Sequence, residues 1–166
     1  MTLTETETRT DGRHDFDFAF GRWSVQNRKL VDVLDPGCTE WVDFVAEVEA
    51  RPILGGLGNT DSFKVADMPG RGAYEGMTLR LFDPEADLWR IWWASTGYPG
   101  RLDPPMEGRF SGGLGVFLCD DVIDGRAVKV RFDWTPGETT ARWEQSFSFD
   151  EGQTWAKNWI MSFTRV

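Results

Sequence analysis

Residues 141–166, ARWEQSFSFDEGQTWAKNWIMSFTRV, decide how the chain is read. Upstream of the centre, Trp143, Gln145, Phe147 and Phe149 alternate with Arg142, Glu144, Ser146 and Ser148. Downstream, Trp155, Trp159, Met161 and Phe163 alternate with Ala156, Asn158, Ser162 and Thr164. Successive strand side chains point to opposite faces, so a period of two on both sides of a short polar segment predicts a β-hairpin. The turn between them, Ser148 to Trp155, brings its own chemistry. Asp150 can accept hydrogen bonds from the turn's N–H groups, and Gly152 can take positive φ without a Cβ clash.

This turn resembles the Asp-box, S-x-D-x-G-x-T-W, known from sialidase-type propellers and from scattered unrelated β proteins. The resemblance implies a fold device and not an active site. A propeller would repeat the box once per blade, and the sequence holds one copy.

Outward from the hairpin, the same period recurs. Strands are expected from Gly21 onward, over 39–51, 59–65, 74–82, 88–95, 106–110, 113–119 and 126–136, with 74–82 and 88–95 joined as a hairpin. Phe16, Phe18 and Phe20 precede the first strand as a short helical plug or an entering strand. No convincing helix is present. Nine or ten antiparallel strands joined by short turns close most simply into an up-and-down barrel, which removes the exposed edges of an open sheet. Residues 1–14, rich in Thr, Glu and Arg, read as a disordered arm, and residues 15–166 as a single barrel domain.

Family resemblance sharpens this expectation. Gly21 and Trp23 at the start of the first long strand are similar to the G-x-W opening of lipocalin and calycin barrels. In those barrels the Trp packs at the closed end beneath an Arg from a late strand, which implies Arg165 as its partner here. The segments ARPILGGLGN, YEGMTLRLFDP, WRIWWAS, PPMEGRF and GQTWAKNWIMSFTRV resemble bacterial uncharacterised proteins of the DUF1579 type over residues 16–166. That resemblance implies a lipocalin-like β-barrel and supplies no catalytic residue. The related nitrobindins bind haem through a histidine, and this chain departs from them: its one histidine, His14, lies in the expected arm.

Composition excludes several functions. Lys and Arg number 18 against 27 Asp and Glu, a net charge of −9, which disfavours nucleic-acid or anionic-membrane surfaces. No apolar run approaches the roughly 20 residues of a spanning helix, and the N-terminus lacks a signal-peptide layout, so a cytoplasmic protein is expected. Cys38 and Cys119 fit no metal or disulfide pattern and read as buried free thiols. There is no G-x-S-x-G, H-x-H or H-E-x-x-H, and no cofactor or metal is expected.

Nine tryptophans and twelve phenylalanines remain to be explained. Each ring buries about 150–250 Å², enough to fill a barrel or to line an apolar cavity. Charged or amide groups on the inner side of Trp-rich strands would orient a ligand there. The candidates are Glu47, Asn59, Glu75, Arg90, Trp92, Trp93, Glu107, Arg131, Trp134 and Asn158. Two readings follow. The first is a binding protein for a small apolar or aromatic molecule, with a homodimer as a possible assembly. The alternative is a cofactor-independent acid–base enzyme, an isomerase, cyclase or lyase, using an inward carboxylate, Tyr74 or Tyr98 beside an Arg.

Overall fold

The computed structural model describes residues 11–166. Ten strands follow one another: β1 (Gly21–Leu30), β2 (Trp41–Ile53), β3 (Gly58–Met68), β4 (Gly72–Asp83), β5 (Leu88–Ser95), β6 (Met106–Ser111), β7 (Leu114–Ile123), β8 (Arg126–Thr135), β9 (Thr140–Ser148) and β10 (Ala156–Arg165). Each pairs antiparallel with its neighbour in sequence, and β1 pairs with β10 as well as β2, so the sheet is a closed up-and-down barrel without free edges. The expected fold class and the 74–82/88–95 hairpin are both found.

Strand periodicity sets the wall. Along β2, Phe44, Ala46, Val48 and Ala50 are buried while Asp43, Val45, Glu47 and Glu49 are exposed. The same alternation puts Trp23, Val25, Asn27 and Lys29 of β1 inside. Rings from every side meet there: Phe63, Trp134, Trp143, Trp159 and Phe163 belong to one buried cluster.

The two ends differ. At the end where β1 starts, Phe16 is fully buried on a pair of short 3-10 turns, Gly12–His14 and Asp17–Ala19. Phe16 packs edge-on against Trp89, Phe110 and Trp134, so the helical-plug alternative is the one adopted. Gly12 and His14 fall within the expected arm, yet the Gly12 carbonyl accepts from Trp89 Nε1 at 2.9 Å; residues 1–10 of that arm lie outside the described residues.

Trp23 closes this end. Its Nε1 donates to the Ala19 carbonyl at 2.9 Å, and the Arg165 guanidinium carbon lies 3.9 Å from its ring centroid. Gly21, at φ +102°, leaves the space this stack needs, since a Cβ there would sit 2.7 Å from an Arg165 nitrogen.

The opposite end carries the 30–41, 68–72, 95–106, 123–126 and 148–156 connections. The Asp-box turn is one of them and behaves as a fold device. Asp150 accepts from the Thr154 backbone N–H at 2.8 Å and from the Thr154 hydroxyl at 2.6 Å, while the Gly152 N–H donates to Ser148 Oγ at 2.8 Å.

Candidate functional site

The barrel encloses a cavity of about 250 Å³, just below the usual range of about 300–1,000 Å³ for small-molecule sites. It opens among the long connections and runs inward from Lys29, Arg71, Tyr98 and Asp103 to Asp61 and Arg80. The walls between are aromatic. Phe63, Trp93, Trp143 and Trp159 interlock edge-on, with centroid separations of 5.7 Å for Phe63 to Trp93 and 5.6 Å for Trp143 to Trp159. Trp93 lies flat on the inner wall because β4 has Gly76 beneath it: a Cβ at that position would sit 2.1 Å from the indole ring.

The floor is ionic. Arg80 Nη2 donates to Asp61 Oδ2 at 2.7 Å and Nη1 to Asn59 Oδ1 at 2.9 Å, with all three residues at most 9% exposed. Register builds this group, since Asn59 stands directly opposite Arg80 across the β3–β4 ladder and Asp61 opposite Thr78, whose N–H it also accepts. The guanidinium further rests 5.0 Å from the Phe16 ring centroid, so the plug and the floor brace each other. One donor of the guanidinium, Nε–H, has no protein partner although Arg80 lines the cavity.

The mouth is polar and less tightly paired. Lys29 projects from β1 with its Nζ 5.0 Å from the Trp159 ring centroid, and burial together with the Arg71 charge pushes its pKa below the ordinary 10.5. Asp103, on the loop between β5 and β6, is pushed the other way, above the ordinary carboxylate value, by burial and by Asp121. Cys119 is held as a thiol: burial first, then Asp121, Asp120 and Asp103, raise its pKa to about 12. Among the described residues no three His, Cys, Asp or Glu side chains gather as metal ligands would.

Of the ten residues singled out from sequence, the structure places two on the cavity wall, Trp93 and Trp134. Asn59 stands behind the wall, supporting Arg80. Asn158 does not reach the cavity. It is the extra residue of a bulge between Lys157 and Trp159, and it accepts from Gln145 Nε2 at 2.9 Å; Gln145 is the one that lines the site.

The other six face outward, which corrects the expectation that they orient a ligand. Glu47 is exposed on β2, and Glu75 lies 3.8 Å from Lys64 on the outer face of the β3–β4 pair. Arg90 bonds Asp83 and Glu107 outside the β4–β5–β6 wall, each at 2.9 Å, and Trp92 shares that outer face. Arg131 pairs with Asp133 along outer β8. The physical reason is register: each lies on the parity opposite to its strand's buried residues, and water stabilises the five charges among them better than the barrel interior would.

The residues that sequence reasoning passed over are Lys29, Asp61, Arg71, Arg80, Asp103 and Gln145 at the cavity. Lys29 was detectable, since it continues the Trp23, Val25, Asn27 face of β1. Arg71 and Asp103 lie in connections, where no periodicity reports direction. The sequence matches no known family model, and no curated protein matches it significantly.

Proposed function

We propose that the protein binds a small apolar or aromatic molecule inside the barrel, and that it is a lipocalin-like carrier or sensor of the DUF1579 type acting in the cytoplasm. The observation that carries this reading is an open, ring-lined cavity in a domain with enough large side chains to have filled it. Close-packed interiors rarely retain space of this size without use, because every lost dispersion contact and every cavity wall costs stability. Gly76 supports the reading as well: a larger residue would displace Trp93 from the wall it forms. The Trp23–Arg165 stack supports the lipocalin-like kinship.

The acid–base alternative has less support. Glu47, Glu75 and Glu107 point outward, and the inward Asp61 already accepts from Arg80 and from the Thr78 N–H. Asp103 is the remaining acid at the cavity, where Tyr74, Thr78, Ser95 and Tyr98 supply hydroxyls, none of which hydrogen-bonds it among the described residues.

Titration with 2-naphthol, followed by tryptophan fluorescence, tests the binding reading. Saturable quenching with one site per chain is expected, weakened at least tenfold by Ser95→Phe, which places a ring at the mouth. Linear, unsaturable quenching in the wild-type protein would reject it.

A further inference from the structure

The mouth is more specific than an apolar cavity requires. Five charged residues line the cavity: Lys29, Asp61, Arg71, Arg80 and Asp103. Asp61 and Arg80 neutralise each other at 2.7 Å on the floor. Lys29 and Arg71 make no ion pair among the described residues, and Asp103 lies on the loop between β5 and β6, whose Gly97 also stands beside Arg71. The entrance therefore carries two cations against one carboxylate, with Lys29 half-buried against Trp159 and Arg71 exposed at the rim. A half-buried cation without an ion-pair partner is costly, and an anion placed beside Lys29 and Arg71 offsets that cost.

Hydroxyls complete the site. The Arg71 guanidinium lies beside Gly97, Tyr74 and Ser95: a Cβ on Gly97 would stand 3.3 Å from its Nη1, 3.3 Å from the Tyr74 ring and 3.4 Å from Ser95 Oγ. Ser95, Tyr74 and Tyr98 all line the same entrance. Beneath them the cavity is ring-walled down to Asp61 and Arg80, whose charges neutralise each other. The site is thus polarised along the barrel axis, with a surplus of cations at the mouth, an apolar middle and a neutralised ion pair at the floor.

We infer that the ligand is an amphipathic organic anion, an aromatic or alkyl carboxylate, bound with its carboxylate at the mouth between Lys29 and Arg71 and its apolar body against Phe63, Trp93, Trp143 and Trp159. This rests on the binding reading above and adds the class and orientation of the ligand. The protein's net charge of −9 does not oppose it, because screening confines charge effects to about 8 Å at physiological salt, and the mouth itself carries Lys29 and Arg71 against Asp103. Arg71 offers the planar fork that suits a carboxylate, and Lys29 a point charge beside it.

The test uses a matched pair, 2-naphthoate and its neutral methyl ester, titrated into the full chain with tryptophan fluorescence as readout. Naphthoate is expected to bind at least tenfold tighter than the ester, with the preference shrinking as salt is raised. In Lys29→Met and in Arg71→Met the acid-to-ester ratio is expected to fall to within about twofold in at least one variant and to decrease in both. Circular dichroism of each variant shows that the barrel is retained. Equal binding of acid and ester by the wild-type protein, or a preference that survives both substitutions, overturns this inference and leaves the binding reading standing. Failure of both probes to bind overturns the binding reading and this inference with it.

Discussion

Arg165 lies flat over Trp23, its guanidinium carbon 3.9 Å from the ring centroid, and the same side chain donates to the Phe18 carbonyl at 2.6 Å and to the Phe20 carbonyl. One residue from the last strand thereby fixes the first strand and the plug that precedes it. Charge-assisted hydrogen bonds of this kind contribute about 1.5–3 kcal/mol, and each kcal/mol shifts Tm by about 2–4 °C in a domain of this size. Arg165→Ala is expected to lower Tm by roughly 3–12 °C. Arg165→Lys is expected to recover only part of that, since an ammonium cannot lie flat on the ring while reaching both carbonyls. Full recovery by Lys in a thermal melt would show that charge alone suffices.

The floor pair predicts a distinctive pattern of energies. Asp61 and Arg80 are both nearly buried, so removing one leaves the other charge uncompensated, at a cost of about 3–5 kcal/mol. Asp61→Leu and Arg80→Met are each expected to destabilise strongly in urea, while the double variant costs less than the more damaging single one. If the two effects simply add, the pair is not coupled as the geometry requires.

Stability at acid pH should depend on the Asp-box. The Thr154 hydroxyl and N–H and the Ser148 hydroxyl hold the Asp150 pKa down at about 2, against an ordinary 3.8. A carboxylate with a depressed folded-state pKa contributes stability that is present above its unfolded value and is lost as pH falls through the folded one. The stability difference between wild type and Asp150→Asn should therefore be constant above pH about 5 and shrink between pH about 4 and 2. Melts at several pH values check this, and a difference that persists unchanged at pH 2 would contradict it.

Much of this architecture could be read from residue order. The box turn, the strand sequence and the 74–82/88–95 hairpin depend on local patterns, the Trp23–Arg165 pairing was implied by the resemblance to lipocalin barrels, and the structure contains them all. The site was harder to read, and β4 shows why. Its outer face carries Met77, Leu79 and Leu81 while its inner face carries Gly76, Thr78 and Arg80, the reverse of ordinary apolar-in patterning. Arg80 can sit inside only because Asn59 and Asp61 face it from β3, a relation across strands that a single segment does not display. Where a strand had a clean apolar face, as β2 does with Phe44, Ala46, Val48 and Ala50, that face alone directs Glu47 outward. Asn158 illustrates a third limit, since the bulge that diverts it adds one residue without changing the composition of β10.

The central claim is that the inward rings, and not the outward ones, form a binding site. Tryptophan indole N–H signals in a proton–nitrogen correlation spectrum test it most directly. On titration with 2-naphthoate, the signals of Trp93, Trp134, Trp143 and Trp159 are expected to shift together and saturate, because all four line the cavity. Those of Trp92 on outer β5 and of Trp155 in the box turn should stay in place. Shifts confined to Trp92 and Trp155, or no saturable shift at all, would contradict the account.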